Sequence, residues 1–222
     1  MAETSGNCGD ILAELQALRS PENLAGMARF GINTRSALGV PVATLRKMSR
    51  QIPHHHQLAG ELWGSGIHEA RILASMVDEP ERVTEAQMER WVSDFDSWDL
   101  CDQTCANLFE KIPAAWSICV QWSEREEEFV KRAAFTLMAR LAVSAKAATD
   151  DQLAAFFPLI KKESGDGRNY VKKAVNWALR QIGKRNPALR EQAVACAQEI
   201  GATGTPSGRW IASDALRELS RR

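Results

Sequence analysis

Apolar residues recur at intervals of three and four residues along nearly the whole chain, and sustained alternation of apolar and polar residues is absent. This spacing places apolar side chains on one face of an α-helix, whereas a half-buried β-strand needs a period of two. The pattern therefore predicts an all-α protein. A further helix start is indicated at Ser20-Pro21-Glu22. The predicted helices cover Ile11–Leu18, Val42–Ile52, Leu58–Trp63, His68–Val77, Thr84–Val92, Asp96–Phe109, Ala114–Trp122, Glu126–Ala142, Asp150–Lys161, Arg168–Arg185, Pro187–Ile200 and Ser207–Leu219.

Two of these segments resemble each other. The hexapeptide Phe129–Ala134 is similar to Tyr170–Val175, and the two begin 41 residues apart. That separation is typical of two-helix HEAT-type repeats, in which each helix pair buries its apolar face only by stacking on its neighbours. We therefore expect an α–α superhelix of HEAT-like repeats in a single domain, residues 1–222, with residues 1–8 disordered.

Stacked helix pairs also predict where basic side chains lie. A small rotation between successive repeats produces a curved slab whose concave side is lined by the second helix of each pair. On this reasoning Arg132 and Lys173 should point outward from that side.

Charge is distributed unevenly although the formal net charge is zero. Residues 78–128 contain 14 acids and 4 bases, and residues 161–222 contain 13 bases and 6 acids. A basic C-terminal third is compatible with an anionic partner that docks on one face. The alternative is two solvated surfaces of opposite sign.

The composition limits the compartment and the cofactors. Five cysteines and a polar start without signal-peptide character indicate the cytoplasm. No apolar window is long enough to span a bilayer, so no membrane is expected. The run His54-His55-His56 is the strongest metal candidate, but consecutive residues cannot all face one ion. We therefore predict no metal and no cofactor.

Trp98 and Asp102 are the first candidate pair for chemistry. They are four residues apart and share one helix face, one turn from each other. An indole attracts a cation, and a carboxylate stabilises developing positive charge or orients a water molecule. The alternative is a packed tryptophan beside an acid that caps the helix or faces water.

Trp177 is the second candidate, because it lies four residues after Lys173 and three before Arg180. A tryptophan among bases suggests a surface for phosphates and a sugar or base. The alternative is a core tryptophan with lysine stems packed around it.

With these motifs the chain resembles the AlkD-like HEAT-repeat DNA glycosylases, the DNA alkylation repair family, from about Gly31 to the C-terminus. The resemblance implies a metal-free glycosylase that excises cationic N-alkylated purines, such as 3-methyladenine and 7-methylguanine, from double-stranded DNA. The residues that carry it are Trp98-Asp99-x-x-Asp102, Val130-Lys131-Arg132-Ala133, Val171-Lys172-Lys173-Ala174-Val175-x-Trp177-x-Leu179-Arg180 and Leu38-Gly39-Val40-Pro41-x-x-x-Leu45-Arg46.

The resemblance also implies roles for individual residues. Trp98 and Trp177 would hold the deoxyribose of the lesion, Asp102 would be the catalytic carboxylate, and Arg132 would lie near the flanking phosphates. Asp99 is assigned no catalytic role and is expected to cap the helix or to form a structural pair. The other expected DNA-binding residues are Lys131, Lys172, Lys173, Arg180 and Lys184. By charge alone, Lys161, Lys162, Arg168 and Arg185 are further candidate phosphate contacts.

Excision of a cationic purine requires only one carboxylate. Breaking an N-glycosidic bond gives an oxocarbenium-like sugar, and an alkylated purine already carries positive charge and leaves without protonation. We expect a monomer that binds duplex DNA. The alternatives are a non-catalytic HEAT-repeat DNA-binding protein and a protein-interaction scaffold, the latter without salt-dependent DNA binding.

Overall fold

The computed structural model describes residues 7–220, and these residues form helices joined by short loops without any β-strand. The contacts divide the chain into two compact units, one up to Ile112 and the other from Pro113. The expectation that residues 1–222 form a single domain stays a prediction. The all-α prediction is confirmed.

The first unit contains seven α-helices and two short 3-10 turns, Pro80–Arg82 and Phe109–Lys111. The α-helices are α1 (Cys8–Ala17), α2 (Pro21–Arg29), α3 (Val42–Ser49), α4 (His56–Gly64), α5 (His68–Val77), α6 (Glu85–Ser93) and α7 (Trp98–Asn107).

The second unit contains the longest helices of the chain. They are α8 (Ala115–Ser123), α9 (Glu128–Ser144), α10 (Asp150–Ala154), α11 (Phe157–Glu163), α12 (Asn169–Gly183), α13 (Pro187–Ala202) and α14 (Pro206–Leu219).

Two expectations about local structure are wrong. The single helix expected over Asp150–Lys161 is two helices, α10 and α11, because Pro158 has no amide hydrogen for the helical hydrogen-bond ladder. The disordered start does not extend to Asn7 and Cys8, since the Asn7 side chain accepts a hydrogen bond from the Asp10 amide and caps α1. The rest of that predicted segment, residues 1–6, lies outside the described residues.

The helix pairs of the second unit stack with a regular register. Polar side chains in one repeat bond to residues 38 positions away in the next: Arg132 Nη1 donates to the Tyr170 carbonyl and Asn176 Nδ2 to Asp214 Oδ2, each at 2.7 Å. Arg180 pairs with Glu218 at the same separation. The long helices α9 and α12 pack side by side. This repetition is what stacked HEAT-like repeats require.

The first unit has its own register of 31 residues. Trp63 Nε1 donates to Asp94 Oδ2 at 2.8 Å, and His68 Nε2 donates to Asp99 Oδ2 at 2.8 Å. The Trp63 ring stacks on Trp91 with centroids 3.9 Å apart, which closes the apolar core between α4 and α6.

A buried carboxylate fixes the segment that precedes α3. Glu69, the second residue of α5, is 1% exposed and accepts hydrogen bonds from the amides of Leu38, Gly39 and Val40 at 2.7–3.2 Å. Gly39 has φ of 82°, and a Cβ built there would lie 2.3 Å from the Ser20 carbonyl oxygen. Only glycine fits this close approach.

None of the five cysteines forms a disulfide, and Cys101 and Cys105 are buried in the core as small residues. In the part of the chain that the structure describes, no helix combines the length and apolar character needed to cross a bilayer.

We predict that Glu69→Gln lowers the free energy of unfolding by about 2 kcal/mol. The three buried backbone N–H groups now bond to two carboxylate oxygens, whereas the glutamine side chain would offer them a single acceptor oxygen. Urea denaturation measures the change. Exposed Glu191 on α13 provides the matched control, Glu191→Gln, which should be neutral. Equal effects of the two substitutions would contradict the role of Glu69.

Candidate functional site

The first candidate residues lie at the start of α7. Ser97 precedes the helix in an extended conformation, Trp98 is its first residue and Asp99 its second. A carboxylate in the first turn is stabilised by the unpaired amides and the dipole of the helix. This local sequence therefore determines where the helix begins and which residues occupy its first turn.

Trp98 and Asp102 lie one turn apart on α7, and both side chains are half-buried. The indole nitrogen of Trp98 donates to the carbonyl of Phe30 at 3.0 Å, which fixes the orientation of the ring. A carboxylate one turn from an oriented indole can stabilise a cationic or oxocarbenium-like group next to it.

Phe30 is a neighbour of this pair that the sequence reasoning missed as a site residue. It ends α2 and its side chain is 75% exposed, the largest exposure among the large apolar residues of the described chain. Gly31, with φ of 75°, follows it and turns the chain. The signal in the sequence is an aromatic residue immediately before a helix-ending glycine, where no core position is available.

Asp99 has a structural partner, as expected. Its Oδ2 accepts from His68 Nε2 at 2.8 Å, and its Oδ1 accepts from the Ser97 hydroxyl at 2.8 Å. His68 is the first residue of α5 and is 2% exposed. The pair therefore joins the N-terminal turns of α5 and α7.

The charges of this pair stabilise each other. Burial lowers the pKa of His68, but the hydrogen bond and charge of Asp99, with the charges of Glu69 and Asp96, outweigh burial and raise the pKa above its usual 6.5. Burial raises the pKa of Asp99, but the hydrogen bonds and charge of its partners outweigh this and lower the pKa below its usual 3.8. The pairing therefore favours the charged forms of both groups, an imidazolium facing a carboxylate.

Two of the expected DNA-binding residues are buried in the second unit. Lys131 is 5% exposed and its Nζ lies 2.6 Å from Glu163 Oε2, with Asp166 Oδ2 at 4.0 Å. Arg132 is 6% exposed and donates to the Tyr170 carbonyl. The expectation that Arg132 points outward is wrong, because the packing of α12 against α9 covers it.

The remaining expected cations lie on α12. Arg180 and Lys184 both pair with Glu218 of α14. Lys172 Nζ lies over the Trp210 ring, 4.9 Å from its centroid. Lys173 is exposed, as expected, and has no ion pair among residues 7–220.

Trp177 lies on the same helix, α12, and is half-buried between the buried residues Asn176 and Ala178. Its half-buried state leaves part of the ring accessible. Trp98 and Asp102 belong to the first unit and Trp177 to the second.

The rings of the three adjacent histidines contact two residues, Asp78 and Leu58, through three different groups. His54 Nδ1 contacts the Asp78 carbonyl, His55 Nδ1 accepts from the Leu58 amide, and His56 Nδ1 lies 2.7 Å from Asp78 Oδ1. Within residues 7–220, no group of three or more His, Cys, Asp or Glu side chains is arranged to hold a metal ion. The histidines therefore serve the local structure around α4.

We predict a pH dependence of stability from His68. Because its pKa is raised on folding, the protonated ring stabilises the fold below pH 6.5, and this contribution is lost as the pH rises through the folded pKa. The Asp99 contribution, from a lowered pKa, is lost as the pH falls from 3.8 through its folded value. The unfolding free energies of wild type and His68→Gln should therefore differ most between these limits and converge at alkaline pH.

Urea denaturation over a pH series measures this difference, and an NMR titration of the His68 ring gives its pKa directly. The control is His54→Gln, at an exposed histidine. A difference between wild type and His68→Gln that stays constant with pH would contradict the ion pair.

Comparison with known proteins supports the fold and the family. A solved structure described as "A new family of proteins related to the HEAT-like repeat DNA glycosylases with affinity for branched DNA structures" matches with a TM-score of 0.77 and 19% identity, over 87% of this chain and 83% of that one. The HEAT-like repeat fold expected from the sequence is thereby confirmed. Uncharacterized protein Lin0241 of Listeria innocua is 27% identical over 122 residues, which are 53% of this chain. The match spans about half, 54%, of that curated relative.

The family model described as "DNA alkylation repair enzyme" matches residues 11–219. This match covers both compact units and all the candidate residues on α7, α9 and α12. The chain therefore belongs to the DNA alkylation repair enzyme family.

Proposed function

We propose that this protein is a DNA glycosylase that hydrolyses the N-glycosidic bond of cationic N-alkylated purines, such as 3-methyladenine and 7-methylguanine, in duplex DNA. The observation that carries the proposal is the pair on α7: Asp102 lies one turn after Trp98, whose indole is oriented by the Phe30 carbonyl. Membership of the family supports it.

Two neighbouring carboxylates on α7 compete for the catalytic role, and their surroundings separate them. Both oxygens of Asp99 accept hydrogen bonds from buried or capping groups, and its charge is matched by His68. Asp102 lies nearly one turn further along the helix, directly after the turn that begins with Trp98, and is half-buried. We assign the catalytic role to Asp102 and a structural role to Asp99.

The proposed reaction needs only one carboxylate. As the bond between deoxyribose and base breaks, its electron pair leaves with the purine, which was cationic and departs neutral. The sugar acquires oxocarbenium character, which the Asp102 carboxylate stabilises while it orients the attacking water. The faces of Trp98 and Trp177 add cation–π stabilisation.

The DNA contacts are proposed in two groups. Lys172 and Lys173 on α12 are proposed as direct phosphate contacts, because neither has an ion pair among the described residues. Arg180 and Lys184 would exchange Glu218 for a phosphate. Lys131 and Arg132 are buried, so either could contact a phosphate only after leaving its partner, Glu163 for Lys131 and the Tyr170 carbonyl for Arg132. The protein is proposed to act as a cytoplasmic monomer.

We predict that Asp102→Asn slows the release of methylpurines from methylated DNA by about 100-fold or more, because the neutral amide no longer stabilises the developing cation. Chromatography of the released bases measures the rate under single-turnover conditions. DNA affinity should not fall, since removing a negative charge does not weaken phosphate binding.

The matched control is Asp151→Asn, the same chemical change at an exposed position of α10. It should release methylpurines at the wild-type rate. Absence of release by the wild-type protein, in an assay where an active glycosylase succeeds, would sink the proposed reaction.

A second candidate function is binding of branched DNA without catalysis. The observation that favours it is the similar solved structure, which is described as having affinity for branched DNA structures. This candidate predicts tighter binding to a four-way junction than to a duplex, and no base release. A protein-interaction scaffold, the third class, predicts no salt-dependent binding to either DNA.

We predict that Lys173→Gln weakens binding to duplex and junction DNA alike and lowers the slope of log affinity against log salt concentration by about 1. The reason is that one phosphate contact carries no sequence information and releases about one counterion. Fluorescence anisotropy at several salt concentrations measures both quantities.

Lys111→Gln is the control, at an exposed lysine outside the proposed DNA contacts. Its affinity and salt slope should equal those of the wild type. An unchanged slope for Lys173→Gln would remove Lys173 from the proposed surface.

A further inference from the structure

The first unit contains a cavity of about 620 Å³ that the proposed reaction does not use. It lies between α2, the segment that follows Gly39, and the first turns of α5 and α7. Its volume falls within the usual range for small-molecule sites, about 300–1,000 Å³. The apolar side chains that line it are Met27, Phe30, Ile32, Val40, Val42 and Ile72.

The polar residues of this lining, which also include Glu22, Asn23 and Arg29, contain one buried ion pair. His68 and Asp99 both line the cavity, and His68 is 2% exposed. His68 donates through Nε2 to Asp99, while its Nδ1 has no hydrogen-bond partner among residues 7–220. Glu69 also lines the cavity, but its carboxylate already accepts from three backbone amides. Nδ1 of His68 therefore remains available to a ligand.

The rim of the cavity adjoins the proposed catalytic site. Phe30 lines the cavity with a side chain that is 75% exposed, and its carbonyl accepts from the Trp98 indole. A planar ligand in the cavity would therefore have an aromatic ring at its entrance, next to the residue proposed to contact the deoxyribose.

We propose that this cavity is a binding site for a neutral purine base. A purine is planar and largely apolar on its faces, which suits the aliphatic walls and the Phe30 ring. It has ring nitrogens that accept and a ring N–H that donates, so it can hydrogen-bond to the free Nδ1 of His68 in either protonation state, while an exocyclic amino group can donate to Asp99. Pockets that read bases combine stacking with hydrogen bonds to the base edge in this way.

A neutral purine can reach the cavity from two sources. One is the free base released by the proposed reaction, which departs neutral; the other is an unmodified base displaced from the DNA stack. The proposal rests on the proposed function only for the first source. Binding of a free base to the protein without DNA tests the site whether or not the protein is a glycosylase.

Gly26 allows the cavity to be filled without disturbing the fold. It lies within α2 and lines the cavity, and a Cβ built there meets no atom within 4 Å. Gly26→Leu should also stabilise α2, since glycine within a helix is unfavourable by about 1 kcal/mol. The matched control is Gly60→Leu, at an exposed position within α4 whose Cβ likewise meets nothing within 4 Å and which does not line the cavity.

The experiment is calorimetric titration of the full-length protein with adenine and with 3-methyladenine, using cytosine as the smaller comparison base. We expect the purines to bind with a Kd between about 1 μM and 1 mM, as befits ligands of this size. Gly26→Leu should weaken binding at least about tenfold and Gly60→Leu should leave it unchanged. His68→Leu, which removes the ring nitrogens, should weaken purine binding as well.

A second arm uses duplex DNA with an unpaired 2-aminopurine, whose fluorescence reports the stacking of that base. A change on binding that Gly26→Leu abolishes identifies the displaced base as an occupant. Purine binding that is the same in wild type and Gly26→Leu, or absent in both arms, overturns the proposal. Methylpurine release without purine binding would overturn the cavity site alone, and purine binding without release would overturn the proposed reaction alone.

Discussion

Two carboxylates, at the second positions of α5 and α7, connect the repeats of the first unit. Glu69 of α5 accepts from the amides of Leu38, Gly39 and Val40, and Asp99 of α7 accepts from His68. In each case an acid stabilised by a helix N-terminus binds a group 29 to 31 residues earlier. Removing either carboxylate would leave buried donors unsatisfied, so the position of α7 depends on both.

This arrangement explains how two acids three residues apart can differ in function. Asp99 is committed to His68 and the Ser97 hydroxyl, which fixes the first turn of α7. Asp102 lies nearly one turn further along the helix, one turn after the oriented indole of Trp98, and is half-buried. The structural pair thereby positions the residue proposed to act on the substrate, and it also supplies the polar lining of the neighbouring cavity.

The second unit shows where sequence reasoning about charge is insufficient. The similarity of Phe129–Ala134 to Tyr170–Val175 indicated stacked repeats, and α9 does pack against α12. Equivalent bases in the two copies nevertheless have different surroundings. Lys131 and Arg132 are covered by the following repeat, where Glu163 and the Tyr170 carbonyl bind them, whereas Lys173 is exposed.

The sequence by itself determined the features that depend on neighbours along the chain. The helical period, the caps, the one-turn spacing of Trp98 and Asp102 and the membership of a repeat family all follow from residues within a few turns. Tertiary structure alone decided which cations are buried, that Asp99 pairs with His68, and that Phe30 adjoins Trp98. These depend on residues about 30 to 70 positions apart, whose contacts are set by how the helices pack and not by their spacing along the chain.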